Sequence, residues 1–575
     1  MINIVNVMAT KKLTTTTNKL LARRSISLSL KRERSLWTSD RIVKSPHRDV
    51  EIPNRTIPEH IWENLGRWSD KTALVCGITD RSYTYHELYK YSRNFAAKLR
   101  TQLKIKDGDV VSIMMLNSPE YGVVSLGALE AGAEVTTVNP IYTPHEVQRQ
   151  IVLSDPKILI GIPETVPILK EALTLANKNL PIIVVKGSDG ILPPGTISFE
   201  EFAFADNVDH SVLKEVSKKS EDVAFLPYSS GTTGLPKGVE LTHRNIVVNC
   251  IQQDVETVRQ YDDTTKTNQD VAFGVLPFFH SYGLSVVLIH KLSVGSKVVT
   301  IPKFQPNSFT DVLKDYKINH LSAAPPLILF MGSHPGVTKD HLAHIKAITS
   351  GAAPLPKSDV MKLLQKMSPG SNFLNLYGLT ETSPLATAML PGTDNYTTAG
   401  YGISNTELRV VDAEFRPLGP NEVGELLIRG PEVMKGYRNN PTATKDAITE
   451  DGWFKTGDLA KLDEDGAVTI VDRLKELIKV KGYQVPPAEL EHILKEHSDV
   501  FDAAVVAMRD ERMGEVPKAF VVLKESHKPD AESLKSYVAE RVAVYKRIKE
   551  IVFLDELPKN PSGKILRRVL REKYC

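Results

Sequence analysis

Residues 228–243 read YSSGTTGLPKGVELTH and follow the apolar run Val223 to Leu226. Gly231, Gly234 and Gly238 allow backbone geometries closed to other residues, so neighbouring amides can converge on an anion. Ser229, Ser230, Thr232 and Thr233 add hydroxyl donors, and Lys237 adds a mobile positive charge suited to phosphate oxygens. Together these residue types describe a polyphosphate cradle. The stretch is not a Walker A motif, because no Gly-Lys-Ser or Gly-Lys-Thr stands at the required offset from an earlier glycine. That excludes a standard P-loop NTPase. A glycine- and serine-rich surface loop is the competing reading of this stretch taken alone.

Four further segments carry chemistry-bearing residues: YGLTE at 377–381, GWFKTGDLA at 452–460, VDRLKELIKVKGYQV at 471–485 and NPSGKILRR at 560–568. Each has an ordinary reading by itself. YGLTE suits a turn with a helix cap, TGD a solvent-facing turn, and Lys475, Lys479 and Lys481 a solvated helix face. A lone histidine such as His280 is more often structural than catalytic. The joint pattern is more specific. In this order, the five segments resemble the acyl-adenylate-forming superfamily of acyl-CoA synthetases, aryl-CoA ligases and beetle luciferases. PFFHSYGL at 277–284 brings the resemblance nearest to the branch containing 4-coumarate-CoA ligase, and it covers nearly all of the chain after the N-terminal leader.

The resemblance implies an ATP-, Mg²⁺- and CoA-dependent carboxylate ligase. A carboxylate oxygen attacks the α-phosphorus as pyrophosphate leaves, and CoA then displaces AMP to give a thioester, so charge must be neutralised on both sides of the α-phosphate. It assigns ATP phosphates to Ser229, Ser230, Gly231, Thr232, Thr233, Gly234 and Lys237, and adenine to Gly351, Ala352, Ala353 and Asn375. Tyr377, Gly378 and Thr380 complete the nucleotide site. Glu381 would hold Mg²⁺, Asp458 and Arg473 the ribose, and Lys564 the carboxylate and bridging oxygen during adenylation. Lys475 is the implied hinge about which a small domain turns, withdrawing Lys564 and bringing up the loop with Lys479, Lys481, Gly482 and Gln484. Gly482 would line the thiol tunnel. His280, Ser281, Tyr282 and Gly351, with the segment Ser322 to Pro326, would form the acyl pocket. Phe279 stands where luciferases typically carry a second histidine, which argues against light emission.

Two rivals differ in class: adenylation with another acceptor, such as a carrier-protein thiol, and a silent binding protein that keeps the fold. Joint retention of Lys237, Glu381, Asp458, Arg473 and Lys564 speaks against the second. The acid is left open between aryl acids and medium- or long-chain fatty acids, with Tyr282 favouring an aryl or medium-length acid.

These residues need a scaffold, and the chain of 575 residues is too long for one core. Helical spacing over Tyr83–Arg100 precedes a β-rich run at Val110–Met115, and the alternation recurs at 124–138, 145–162 and 166–185. It continues through 272–276, 285–292, 297–300 and 345–350. Repeated units of this kind imply a parallel α/β sheet. After about Tyr401 the texture turns to short strands and turns. The expected fold is therefore α/β: a large N-terminal domain at 46–472 with a β-rich subdomain, then a small mobile α+β domain at 473–575.

Residues 1–45 form a basic leader in which Lys11, Lys12, Lys19, Arg23, Arg24, Lys31, Arg32 and Arg34 face only Glu33 and Asp40. That composition suits a mitochondrial transit peptide; a basic tail on a cytoplasmic protein is the alternative. The terminal Lys573-Tyr574-Cys575 lacks a Ser-Lys-Leu signal, so peroxisomal import by that route is not expected. A net charge of +3 gives no field for nucleic acid, and three scattered cysteines match neither a disulfide framework nor a zinc site. No apolar stretch is long enough to span a bilayer. Oligomeric state is not legible at this level.

Overall fold

The computed structural model describes residues 35–186, 190–229, 236–353, 355–473, 476–480, 483–485, 487–510, 513–524, 530–542, 544–559 and 565–575. The alternating units divide between two α/β sheets. In the first, Val110–Met114 lies between Glu134–Thr137 and Pro156–Gly161, all parallel, and Ile182–Val184 and Ile197–Ser198 extend one side. Val223–Leu226 pairs parallel to Glu134–Thr137, and the antiparallel pair Tyr228–Ser229 and Lys237–Thr242 forms the opposite edge. In the second sheet six strands run parallel: Thr72–Cys76, Lys297–Thr300, Val271–Gly274, His320–Ala323, Ala347–Ser350 and Asn372–Gly378. Ser82–Thr84 at one edge and Leu385–Ala388 with Tyr401–Gly402 at the other are antiparallel.

Helices between the two sheets explain why two sheets look like one in sequence. Pro119–Glu130 buries every residue from Pro119 to Leu129, so it shows no polar face, and its start lies five residues before the apolar run that marks it in sequence. Its glycines permit close contact: a Cβ on Gly127 would lie 2.7 Å from the Ser92 carbonyl on the neighbouring helix Tyr85–Thr101. That helix begins in a capping box, with Thr84 accepting from the Glu87 amide and Glu87 from the Thr84 amide. Side chains from both sheets, including Leu74, Val298, Val111 and Ile113, meet these helices in one core.

A third, antiparallel sheet runs Val43–Lys44, Glu407–Val411, Gly424–Arg429, Phe454–Leu462 and Val468–Arg473. Its first strand corrects the sequence boundary of the leader. Residues 35–44 belong to this unit: Val43 pairs with Leu408, and the Trp37 indole donates to the Asp463 carbonyl at 3.0 Å. The signal was hidden because a two-residue strand has no periodicity. The last sheet begins after Arg473 and joins Tyr483–Val485, Ile478–Val480, Gly514–Leu523 and Val500–Asp510, with Glu550–Phe553 parallel to Gly514–Leu523. It packs against the helix Pro487–Glu496 over its own core.

Segment 430–435 ties these units together through buried polar side chains on the helix His243–Asp254. Asn245 donates to the carbonyls of Pro431 and Val433, and Gln252 donates to the Glu432 carboxylate at 3.2 Å. Thr406 donates to the same carboxylate at 2.8 Å, while Ser383 donates to the Glu432 carbonyl. Glu432 is fully buried, and burial pushes its pKa up from 4.5 to about 7. The folded state therefore keeps a proton that the unfolded chain releases, and this group costs stability increasingly as pH rises from about 4.5 to 7. In Glu432→Gln that titration is absent. Urea unfolding should show the variant gaining on the wild type between pH 4.5 and pH 8, by about 3 kcal/mol at most.

Candidate functional site

The site lies where ligands collect in open α/β sheets, at the carboxyl ends of parallel strands. Ala347–Ser350 ends in Gly351 and Ala352, and Ala352 takes the left-handed conformation at φ +75°. Asn372–Gly378 ends beside it and turns through Thr380–Thr382 before returning as Leu385–Ala388. Gly378 is obligatory there: a Cβ would sit 1.7 Å from the Pro384 carbonyl. A Cβ on Gly351 would lie 3.1 Å from the Leu376 carbonyl and 3.5 Å from the Tyr282 ring, so these two strand ends are packed to backbone contact.

Glu381 is 6% exposed and accepts a 3.0 Å hydrogen bond from the Tyr437 hydroxyl. Burial, reinforced by that carboxylate, holds the Tyr437 phenol far above its usual pKa, so it stays a donor. Tyr437 lies on the short strand Gly436–Tyr437, opposite Val239 in the strand that starts at Lys237. The Lys237 ammonium stands 4.9 Å from the Tyr437 ring centroid, within cation–π range. One phenol thus links the lysine of the phosphate segment to the carboxylate proposed for Mg²⁺. Arg438 pairs with Glu240 at 2.6 Å and with Glu134, fastening the edge hairpin to the first sheet. Ser229 faces Lys237 across the hairpin, and among the described residues its buried hydroxyl has no partner.

The ribose candidates converge from the third sheet. Asp458 is 3% exposed, accepts 2.7 Å from the Tyr377 hydroxyl, and lies opposite Arg473 in antiparallel register. Gly457, within the strand Phe454–Leu462, adopts φ +69° ahead of it. Asn375 lies opposite Ser350 in parallel register, and its side-chain amide donates to the Tyr396 carbonyl at 2.7 Å, which ties this strand to the following loop.

The acyl candidates sit on a turn and a π-helix at Tyr282–Ile289. His280 accepts from the Tyr282 amide at 3.2 Å through Nδ1, and Ser281 Oγ lies 3.5 Å from the Thr380 hydroxyl. The Tyr282 hydroxyl meets Thr349 Oγ1 at 3.2 Å, and Thr349 meets Ser322 at 3.0 Å. Burial pushes the Tyr282 phenol up to about 12. Acyl and phosphate segments are thereby in contact through Ser281 and Thr380.

Ser230, Gly231, Thr232, Thr233, Gly234, Lys475, Lys481, Gly482 and Lys564 lie outside the described residues, as do the side chains of Arg473, Lys479 and Gln484. Ala353 directly follows the turn at Ala352. Tyr437, Arg438, Glu240 and Thr349 were missed in sequence. No local pattern marks the first three, since their positions follow from pairing between segments about 200 residues apart. Among the described residues no group of three histidine, cysteine or carboxylate ligands gathers. Glu381 with the Thr380 hydroxyl beside it suits Mg²⁺, which takes one or two carboxylates and completes its shell with phosphates and water.

Comparison with known proteins gives the same picture. The family of AMP-binding enzymes matches residues 61–438, and the AMP-binding enzyme C-terminal domain matches 489–564. "4-coumarate--CoA ligase 3" of Oryza sativa subsp. japonica is 40% identical over 542 residues, covering 93% of this chain and 95% of its own. "4-coumarate--CoA ligase 3" of Arabidopsis thaliana is 39% identical over 544 residues, covering 93% and 94%. Among solved structures, ATP-bound MatB from Rhodopseudomonas palustris superposes with a TM-score of 0.81 at 27% identity, covering 91% of this chain and 99% of its own. A benzoate CoA ligase from Burkholderia xenovorans gives 0.78 at 27% identity, with 90% and 100% covered.

If Asp458 accepts from ribose hydroxyls, Asp458→Asn should weaken AMP binding by roughly 10- to 100-fold, the worth of hydrogen bonds to a charged group. Tyr377→Phe keeps the carboxylate and removes one orienting bond, so its loss should be smaller, about 3- to 10-fold. Calorimetric titration with AMP checks both.

Proposed function

Because this chain belongs to the AMP-binding enzymes, in the company of acyl- and aryl-CoA ligases, we propose that it joins an aryl carboxylic acid to CoA through an acyl-adenylate. The observation that carries this reading is the single assembly of Lys237, Tyr437 and Glu381 beside Tyr377 and Asp458, with Ser281 on Thr380 connecting it to the acyl segment.

In the first half-reaction the acid's carboxylate oxygen forms a bond to the α-phosphorus of ATP while the bond to pyrophosphate breaks. Lys237, the hairpin hydroxyls and Thr380 bind phosphate oxygens, and their charge offsets what develops on the leaving group. Glu381 would hold Mg²⁺, which supplies further neutralisation of the pyrophosphate. Asp458 with Arg473 orients the ribose, and the Tyr377 hydroxyl fixes the carboxylate. Lys564, by its motif, reaches the reacting oxygens in this step. The α-phosphate and the acid are then held in line, which lowers the barrier by prepaid orientation.

In the second half-reaction the CoA sulfur forms a bond to the acyl carbon, AMP leaves, and the thiol proton passes to solvent or to a nearby base. The domain after Arg473 would turn about Lys475 between the steps, exchanging Lys564 for the loop of Lys479, Lys481, Gly482 and Gln484. His280, held by the Tyr282 amide, stands at the acyl end, where it positions the substrate and gates the thiol path.

The two half-reactions separate in one experiment. Lys564→Ala should cut pyrophosphate release with a cinnamate and ATP by ~100-fold or more, while thioester formation from preformed cinnamoyl-AMP and CoA stays within about 3-fold of wild type. Equal loss in both assays would overturn domain alternation. Pyrophosphate without thioester in the wild type would point to another acceptor, and neither product would end the ligase reading. Removing divalent cations with EDTA should abolish pyrophosphate release, and Glu381→Gln should raise the Mg²⁺ concentration needed to restore it.

A further inference from the structure

Below the strand ends a cavity extends along the face shared by alternate residues of three parallel strands: His320 and Ser322, Ala347 and Thr349, Leu374 and Leu376. Its upper rim touches the acyl candidates, since Thr349 and Ser322 carry the hydrogen bonds that end on the Tyr282 hydroxyl. Four residues separate Gly351 at the adenylate end from Ala347 at the floor, about 13 Å at the usual rise of a strand. Val258, Val286, Leu385 and Ala388 complete apolar walls suited to an aryl ring.

The floor is different. Lys291, 9% exposed, lines the cavity with His290, His320 and Tyr261. Among the described residues its ammonium makes neither a hydrogen bond nor an ion pair; its one close contact is the Tyr261 ring, 4.9 Å away at the centroid. The neighbouring carboxylates are engaged elsewhere. Asp254 accepts from the Tyr261 hydroxyl and is bonded to His290 Nε2 at 2.8 Å; Asp270 is bonded to His320 Nε2 at 2.9 Å and to Lys346. The ammonium opens on the cavity, so the partner it needs is water or a polar group of whatever enters there. Burial lowers the Lys291 pKa to about 8, which still leaves it largely charged at neutral pH.

We propose that Lys291 is a specificity-determining residue that donates to a neutral oxygen at the far end of the acid, such as a para-hydroxyl or para-alkoxyl group on the ring. This rests on the ligase reading above. Charge decides between a neutral oxygen and a second carboxylate. Asp254, Asp262 and Asp270 already outnumber Lys291 and Lys346, Arg259 is paired with Asp263, and burial keeps His290 and His320 below their usual pKa. A carboxylate would add an unbalanced buried charge, whereas a hydroxyl or ether oxygen accepts from the ammonium and leaves the balance unchanged.

The test uses three matched arylpropenoic acids, para-hydroxy, para-methyl and para-carboxy, with calorimetric binding to the full chain alongside thioester kinetics. The wild type should favour the hydroxy acid over the methyl acid by at least ~10-fold, because the methyl group leaves the ammonium unpaired. In Lys291→Met the ratio should fall to within about 3-fold, through KM rather than kcat, as expected for binding removed equally from ground and transition states. A wild type that does not distinguish hydroxyl from methyl overturns the proposal, and so does a Met variant that keeps the preference. Preference for the para-carboxy acid would overturn the neutral-oxygen assignment. If the Met variant does not fold, Lys291→Gln keeps a donor without the charge and should retain only part of the preference, and an undiminished preference in that variant overturns the proposal. If no acid gives thioester, the ligase reading fails, while the calorimetric ratio continues to judge Lys291 separately.

Discussion

The two-residue pairing of Gly436–Tyr437 with the strand after Lys237 is the constraint on which the site depends. It sets Val239 opposite Tyr437, and that register sends the phenol toward Glu381 with the Lys237 ammonium over its ring. A shift by one residue would turn Tyr437 to the other face, since strand side chains alternate with period two. So short a pairing cannot hold itself. Arg438 anchors one end to Glu134 and Glu240, and the buried Asn245, Gln252, Thr406 and Glu432 network anchors the approach. Polar groups buried this deeply are tolerated only when satisfied, and once satisfied they allow one arrangement.

The second sheet does a different job. Its parallel strands end together, which gathers Gly351, Gly378 and Thr380 at one rim, while the alternate residues below the rim form a channel toward Lys291. The strand ends and the cavity below them therefore form a single surface, polar at the rim, apolar in the middle and charged at the floor. Backbone contact at Gly351 and Gly378 leaves little room for the rim to adjust. The third sheet contributes Asp458 from an entirely separate antiparallel unit, so the candidate site is complete only when the sheets are docked.

Motif-bearing residues were legible because their chemistry is carried locally. A run of hydroxyls, glycines and a lysine by itself allows either an anion site or a plain surface loop, and it is the joint order with YGLTE, GWFKTGDLA and NPSGKILRR that declares a family. Helix and strand boundaries also fell close to their sequence positions wherever one face is solvated. They drifted where a helix such as Pro119–Glu130 is buried all round, for then no polar residue marks its start.

By itself the sequence determined the α/β class and the order of the units, which follow from local composition and periodicity, and the family, which its motifs carry; the roles of individual nucleotide-site residues are what that resemblance implies. Only the tertiary structure decided that the alternating units divide into two sheets, that residues 35–44 complete a third, and that Tyr437 joins Lys237 to Glu381. The same holds for the depth of the cavity below the strand ends and the lysine at its floor. Lys291 sits in a helix whose local pattern predicts nothing unusual, and its significance arises from strands about 30 to 85 residues further along the chain that bury it beside a cavity. Long-range packing sets which side chains are deprived of water, and that deprivation gives a lone ammonium its chemical meaning.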